Sequence, residues 1–328
     1  MRPSRWLALL LLLASGAVLP CPSLAPARPL PPVPEMEWLL ATQNLWRLRD
    51  TRRDARYDDP VSPSLLDDRL QAQADYIRTH LGSPHLLAVQ EVENRALLTQ
   101  LAGRIAAAGG PAYRAYLLEG NDPSGIDVGV LVRDPVQVAS AAPLFADRRF
   151  MGAPLFSRPP LLVELDAPYP WSVVVLHLRS GRGLHDSDRQ KNVRDKRARQ
   201  AQVLLDWARA HDRPVILVGD LNSAPDAGVY SQPLSYLLDM PLQSAWQALP
   251  PEERYSYSYR CQPQAIDHIL YPAVVARQVQ RVVVSRGNAG RHGRLRDSEG
   301  RSPVSDHDAL GVVFRLPRQQ RKVGIKEE

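Results

Sequence analysis

Aromatic side chains are scarce in this sequence of 328 residues, in which Phe, Trp and Tyr together make up only 6%. Apolar residues nevertheless reach 44%, a proportion too high for a disordered chain. Aliphatic side chains must therefore provide most of the hydrophobic core. A chain of this length forms one large domain or two ordinary ones, and no linker divides residues 35–317.

Patterns typical of several well-known sites are also missing. Cys261 has no neighbouring thiol with which to bind zinc, and no two histidines have the H-E-x-x-H spacing of a zinc-binding helix. The sequence contains neither a G-x-S-x-G nucleophile elbow nor a Gly-rich phosphate loop of the P-loop type. These absences argue against zinc hydrolases, α/β-hydrolases and P-loop proteins.

The first 27 residues have the pattern of a secretory signal peptide. Arg2 and Arg5 precede an apolar run at 7–14, which is too short for a membrane span, and an A-x-A site follows. Cleavage after Ala27 removes Cys21 and leaves Cys261 alone, without an internal disulfide. We therefore predict a secreted or periplasmic protein with no membrane span after cleavage.

The remaining chain divides by composition into three further segments: a Pro-rich spacer at 28–35, a single domain at 36–316 and a charged tail at 317–328. Within the domain, strand patterns outnumber helical ones, and the connections between them vary. This mixture predicts an α+β sandwich with two sheets face to face and helices outside. Helices are expected at 64–81, 93–108 and 187–211, with Ser187 as the cap of the last. Strands are expected at 37–41, 86–91, 113–118, 126–132, 161–165, 171–178, 215–218, 265–270, 279–284 and 309–314.

The segment VILVGDLNSAPD, residues 215–226, is an apolar strand that ends in polar residues. Asp220 and Asn222 are two residues apart and so point to the same side of an extended chain. Pro225 prevents the strand from continuing. A simple turn explains this pattern as well as the floor of a site does, so the other strand ends must decide.

Polar residues mark the ends of six other strands as well. Any one of them has an ordinary explanation, such as a turn, a helix start or a surface acid. Together they favour a single site. The residues are Asn44, Glu91, Asp127, His177, Asp267, Asp306 and His307.

Metal-assisted phosphoester hydrolysis is the chemistry that needs this set. Oxygen ligands from Asn44, Glu91 and Asp306 suit Mg²⁺, with Ca²⁺ or Mn²⁺ as alternatives. Such an ion neutralises the charge that develops on a phosphate and its leaving oxygen. A histidine titrates near neutral pH and can exchange protons with water or the leaving group.

The catalytic assignments divide these residues into pairs. Asp267 is expected to orient His307, and Asp127 to orient His177. Asp220 is expected to orient the attacking water, and Asn222 to donate to a non-bridging phosphate oxygen. The sequence thus predicts six catalytic residues: Asp127, His177, Asp220, Asn222, Asp267 and His307.

In their order along the chain, these motifs resemble those of the endonuclease/exonuclease/phosphatase superfamily, which has the deoxyribonuclease I-like fold. The resemblance spans about residues 36–316 and rests on seven segments: TQNLW, LLAVQEVEN, GIDVGVLV, VVVLHLRSG, VILVGDLNS, AIDHILY and SDHDAL. It implies a four-layer sandwich, with two packed mixed β-sheets flanked by helices on both outer faces, and a divalent metal, usually magnesium.

The resemblance also implies roles for individual residues. Glu91 would bind the ion with help from Asn44 and Asp306, and His307 would act with Asp267. His177 matches the nuclease and phosphodiesterase branches, in which a second histidine protonates the leaving group or binds phosphate. Two arginines near it, Arg158 and Arg179, are predicted to bind phosphate.

The family fold does not determine the substrate. The formal charge of +6 and the basic segment at 179–199 favour nucleic acid, and the segment is similar to secreted bacterial nucleases of the group. We therefore predict an endonuclease acting on DNA or RNA. The alternatives are a phosphatase or phosphodiesterase for small phosphoesters or lipid head groups, or a non-catalytic binding protein. No stable protein partner is implied, and the oligomeric state stays open.

Overall fold

The computed structural model of the chain describes residues 25–225, 228, 231–290 and 304–317. Residues 1–24 of the predicted signal peptide and the predicted tail from residue 318 onward lie outside the described residues. Within the described ranges, no helix combines the length and apolar character needed to cross a membrane.

Two mixed sheets of six strands each form the centre of the fold. The first sheet has the strand order β15-β16-β1-β2-β4-β3. Strand β1 lies at its centre, antiparallel to β16 and parallel to β2. The strands are β1 (Glu37–Leu48), β2 (Leu86–Val92), β3 (Arg114–Leu117), β4 (Asp127–Val132), β15 (Val279–Val284) and β16 (Leu310–Arg315).

The second sheet has the order β11-β14-β10-β9-β8-β5, and its central strand β10 runs parallel to β9 and antiparallel to β14. These strands are β5 (Gln137–Pro143), β8 (Leu161–Ala167), β9 (Ser172–His177), β10 (Val215–Asp220), β11 (Leu242–Ser244) and β14 (Asp267–Pro272). Two small hairpins complete the strands: β6 (Arg149–Phe150) with β7 (Ala153–Pro154), and β12 (Tyr257–Tyr259) with β13 (Gln262–Gln264).

Five α-helices accompany the sheets in the described residues: α1 (Pro63–Asp75), α2 (Arg95–Ala107), α3 (Gln190–Ala210), α4 (Gln232–Leu238) and α5 (Ala273–Ala276). A π-helix, Tyr76–His80, extends α1, so the helix predicted at 64–81 is made of two parts. Ser187 does not cap α3. Asp186 occupies that turn instead, because its carboxylate accepts from the backbone N–H groups of Asp188 and Arg189.

Three apolar clusters separate the layers, and this arrangement confirms the predicted four-layer sandwich. Alternate side chains of the two sheets, such as Leu40 and Val175, meet in a central core. A second core lies between the first sheet and helices α1 and α2, and a third between the second sheet and helices α3 and α4. As the composition predicts, these cores are mainly aliphatic.

The segment predicted as a spacer, 28–35, lies against the domain. Leu30 is buried, and Arg28 forms an ion pair with Glu253 at 2.7 Å. Glu253 also pairs with Arg286, whose guanidinium contacts Asp308 beside the predicted site. The prediction of a lone thiol at Cys261 concerns the chain after cleavage. The other cysteine, Cys21, lies outside the described residues.

Candidate active site

The register of the second sheet brings three predicted residues to one edge. Asp220 is the last residue of β10, and it is aligned with His177 on β9 and with Asp267 on β14. All three side chains are buried. Hydrogen bonding between strands therefore places two carboxylates and an imidazole side by side, although they lie far apart in the sequence.

A glycine allows the strands to approach closely just before this point. Gly219 has φ of 132°, and a Cβ there would lie 2.1 Å from the carbonyl oxygen of Leu176. Only glycine fits this position. After Asp220 the chain turns through Asn222, which has a left-handed φ of 49°, a conformation that Asn tolerates. Its side chain donates to the carbonyl of Leu178 at 3.2 Å.

Asp220 lies at the centre of the buried cluster. Its Oδ1 accepts from the backbone N–H of Asn222 at 2.7 Å. Its Oδ2 lies 3.5 Å from Nε2 of His177 and 3.5 Å from the amide nitrogen of Asn44. Burial and the nearby charge of Asp267 raise the pKa of Asp220 to about 7.

His307 comes from the loop before β16 and joins the same cluster. Its Nδ1 lies 2.7 Å from Oδ2 of Asp267, which is the predicted pair. Ligand atoms of Asp220, Asp267 and His307 all lie within 4.8 Å of one another. Burial alone would lower the pKa of His307, but the charges of Asp267, Asp306 and Asp220 outweigh it and hold the pKa well above its ordinary value.

His177 has the opposite electrostatic environment. Burial, followed by the positive charges of Arg158 and His307, lowers its pKa well below the ordinary value. The predicted pairing of His177 with Asp127 is wrong, because the carboxylate beside His177 is that of Asp220. Asp127 instead accepts from the backbone N–H of Gly120 at 3.0 Å. Asp127 lies on β4 of the first sheet and His177 on β9 of the second.

Asp127 gives a prediction about stability and pH. Burial raises its pKa to about 7 from an ordinary 3.8. Because the folded-state pKa is the higher one, ionisation of Asp127 costs stability progressively from about pH 4 to pH 7. We expect Asp127→Asn to be more stable than the wild type by up to about 4 kcal/mol at pH 8 and equally stable near pH 4. Thermal unfolding at both pH values measures this, and a gain independent of pH would contradict it.

The first sheet contributes Asn44 and Glu91 through irregular strand ends. β1 continues past Asn44 to Leu48, so Asn44 does not end the strand as predicted. The ladder shifts register between Asn44 and Leu48 and again around Glu91, which has φ of 62°. Such bulges redirect side chains out of the regular alternation. Glu91 there accepts a hydrogen bond from the backbone N–H of Arg47 at 3.0 Å.

The donor set fits a divalent metal ion. Glu91, Asp306 and Asn44 offer oxygen ligands. The negative charges of Glu91 and Asp306 are both near enough to Tyr257 and to Arg69 to affect the pKa of each of these side chains. Asp220 and Asp267 add negative charge, and one buried oxygen of Asp267 has no hydrogen-bond partner. Crowded carboxylates of this kind favour a bound cation, and an all-oxygen set is the one that Mg²⁺ prefers.

The two predicted phosphate-binding arginines lie beside His177 but are held by the protein. Arg158 pairs with Asp122 at 2.8 Å and also donates to the carbonyl of His177 at 3.3 Å. Arg179 donates to the loop that follows it, including the carbonyl of Arg182 at 2.9 Å. A guanidinium has five N–H donors, so each arginine keeps donors for a phosphate oxygen beside these protein contacts.

The basic helix contributes less exposed charge than its sequence indicates. Arg197 is fully buried and donates to the carbonyls of Arg179 and Asn222. Lys191 and Arg194 lie within ion-pair distance of Asp195. A count of basic residues does not distinguish these structural roles from contacts with a polyanion.

The sequence analysis assigned no structural role to three residues near the site. Arg69 on α1 is buried and donates to the carbonyls of residues 45, 46 and 47. Arg197 holds the turn after β10 in the same way. The ring of Tyr257 lies 4.7 Å from the imidazole of His307. Arg69 and Arg197 lie on helix faces whose other residues are largely apolar. That placement is the one signal in the sequence that these arginines are buried.

Comparison with known proteins agrees with this geometry. No curated protein matches the sequence. A humanized TDP2 from D. rerio is 19% identical with a TM-score of 0.57, covering 86% of this chain and 100% of its own. The 3'-5' exonuclease NExo from Neisseria meningitidis is 18% identical with a TM-score of 0.55, covering 85% and 100%. A structure of the 3' phosphatase NExo from Neisseria, bound to product DNA hairpin, is 17% identical with a TM-score of 0.55 and the same coverage.

At these identities the solved structures establish the fold alone. The model of the Endonuclease/Exonuclease/phosphatase family matches residues 41–307, which include every predicted site residue. The order of the motifs, the two-sheet architecture and this match agree. The chain belongs to the endonuclease/exonuclease/phosphatase family.

Proposed function

We propose that this protein is a divalent-metal-dependent phosphodiester hydrolase that cleaves nucleic acid with water as the nucleophile. The observation that carries the proposal is the buried convergence of Asp220, Asp267 and His307 within 4.8 Å, with His177 beside them. Two histidines beside two carboxylates suit proton transfer, which a protein that only binds a ligand does not need.

Each residue has a role that its contacts support. Asp267 fixes the tautomer and orientation of His307 through the 2.7 Å hydrogen bond. Asp220 is positioned to accept a proton from, and orient, an attacking water. Asn222 is held at the same edge and offers its amide to a phosphate oxygen.

Asn44, Glu91 and Asp306 would hold the metal ion, with Mg²⁺ preferred over Ca²⁺ or Mn²⁺. When bound, the ion supplies charge neutralisation for the phosphate and the leaving oxygen. The chain itself fixes the position of Glu91 through the N–H of Arg47, and that of Asn44 through the N–H of Trp46 at 2.8 Å.

Several features support nucleic acid as the substrate. The chain has a formal charge of +6. Arg158 and Arg179 lie near His177, and the exposed Arg182 follows in the same loop as Arg179. Tyr257 offers a ring beside His307 on which a base can stack. A member of the same fold, NExo from Neisseria, has been crystallised with a product DNA hairpin. We infer endonuclease action on DNA or RNA in a secreted or periplasmic protein, the location that the N-terminal signal pattern supports.

A plasmid-nicking assay tests the proposal. Purified protein is incubated with supercoiled DNA in Mg²⁺ or in EDTA, alongside RNA and p-nitrophenyl phosphodiesters. We expect nicking in Mg²⁺, none in EDTA, and a loss of about a thousandfold or more in His307→Ala. Asp212→Asn, at an exposed residue before β10, is the control and should retain activity.

The other outcomes identify the alternatives. Hydrolysis of small esters without nicking would replace the nuclease by a phosphatase or phosphodiesterase. DNA binding without hydrolysis of any substrate would leave a binding protein. Nicking that survives both EDTA and His307→Ala would overturn the assigned site.

A further inference from the structure

A second group of carboxylates lies outside the catalytic cluster, where β1 and β2 leave the first sheet. One oxygen from each of Asp50, Asp54 and Glu93 lies within 4.8 Å of the other two. Asp58 supplies a fourth negative charge that acts on Glu93. Asp50, Asp54 and Asp58 belong to the loop between β1 and α1, whereas Glu93 follows β2.

Glu93 has a buried carboxylate oxygen without a hydrogen-bond partner. The residue is only 3% exposed. Its Oε2 accepts from the backbone N–H of Asp50, but its buried Oε1 has no hydrogen-bond partner. A buried carboxylate oxygen without a hydrogen-bond donor costs folding free energy. A bound ligand that contacts this oxygen would remove that cost.

Asp58, four residues after Asp54, is a second buried carboxylate whose oxygens lack hydrogen-bond partners. It is 1% exposed, and neither of its carboxylate oxygens has a hydrogen-bond partner. The nearest cationic atom in the ion pair with Arg49 is 3.9 Å away, a long separation for a buried pair. The charges of this region are therefore only partly compensated.

Nearby cations do not neutralise the group. In the described part of the chain, no ion pair within 4.0 Å reaches Glu93 or Asp54. Arg52 lies 3.9 Å from Asp50, but its side chain is 78% exposed, so its contribution is weak. The side chain of Asn94 donates to Asp50 at 3.1 Å, which orients one carboxylate without neutralising it.

We propose that Asp50, Asp54 and Glu93 bind a divalent cation, and that the cation is Ca²⁺. All the ligand atoms are oxygens, whereas zinc and copper prefer nitrogen and sulfur ligands. Ca²⁺ accepts six to eight oxygen ligands in flexible geometry, whereas Mg²⁺ requires a near-ideal octahedron. Ligands supplied by an exposed loop and a buried strand end suit the more flexible ion.

The site would brace the strand ends that hold the catalytic metal ligand. Glu93 donates its backbone N–H to the carbonyl of Leu48 at 3.0 Å, and Glu91 accepts from the N–H of Arg47 at 3.0 Å. A cation that joins Glu93 to Asp50 therefore fixes the same two strand ends. Bound Ca²⁺ would stabilise the loop at 49–61 and, through it, the position of Glu91.

Calorimetric titration with CaCl₂ tests this site without substrate, so the result does not depend on the proposed hydrolase activity. The titration uses Glu91→Gln, which weakens the catalytic metal site. We expect this variant to bind one Ca²⁺, and addition of Asp54→Asn to weaken the binding by at least about tenfold. Asp59→Asn, an equal loss of charge at an exposed residue of the same loop, should leave the affinity unchanged.

Hydrogen exchange of the full wild-type chain gives a second measurement. Ca²⁺ should slow exchange in residues 49–58 of the wild type and of Asp59→Asn, but not of Asp54→Asn. Binding at equal affinity in the Asp54→Asn and Asp59→Asn variants would overturn the site. So would the absence of Ca²⁺ binding to Glu91→Gln, while tighter binding of Mg²⁺ than of Ca²⁺ would overturn the choice of ion.

Discussion

Asp220→Asn should lose about a thousandfold or more in phosphodiesterase activity while keeping or gaining stability. The activity falls because Asn cannot accept a proton and carries no charge opposite His177 and His307. Stability is kept because burial raises the pKa of Asp220 to about 7, so the ionised carboxylate costs folding free energy above about pH 4. Steady-state hydrolysis and thermal unfolding at pH 8 measure the two effects on the same sample.

Asp212→Asn provides the matched control for this variant. Asp212 is exposed and lies just before β10, at the opposite end from Asp220. It should retain wild-type activity and stability. An active Asp220→Asn protein, or one that is inactive only because it unfolds, would contradict the assigned role.

The second large effect is expected from Arg69→Met, which should lower the free energy of unfolding by about 3 kcal/mol. Arg69 is 1% exposed and donates to three consecutive backbone carbonyls at distances of 2.6 to 3.0 Å. Met fills a similar volume but leaves those carbonyls without this donor. Chemical denaturation measures the loss.

The same variant should also require more Mg²⁺ for half-maximal activity. The carbonyls belong to residues 45–47. This segment follows Asn44 and ends at Arg47, whose backbone N–H binds Glu91. Arg104→Met is the control, because Arg104 pairs with Asp67 on the surface and such pairs contribute little. If both variants were equally stable, Arg69 would not support the strand end.

Residue patterns predicted an α+β sandwich with helices outside, and the resemblance to the family supplied the four layers. Strands such as 86–89 and 215–218 consist of continuous apolar runs because both faces of each sheet are covered. Irregular elements were missed or misplaced where local patterns were weak. β5 is mostly exposed and has no clear alternation, and α3 begins after a turn made by Asp186 rather than by Ser187.

The pairing within the site required long-range contacts. Asp127 begins β4 and His177 ends β9, and no local pattern shows that the carboxylate beside His177 is that of Asp220. The bulges at Asn44–Leu48 and at Glu91 depend on hydrogen bonds between β1, β2 and Arg69, which no local pattern records. In the sequence, the buried arginines look like basic residues of the surface. Only the packing of their two helices shows that they are buried.

The sequence by itself determined which chemistry was available: apolar strands, polar residues at their ends, and an order of motifs that identifies the family. Only the tertiary structure decided which of these residues meet. The physical reason is that side-chain type and alternation are local properties, whereas register, sheet assignment and burial arise from contacts between distant segments. Those contacts place Asp220 beside His177, turn Arg158 toward Asp122 and leave Glu93 with an unpartnered oxygen.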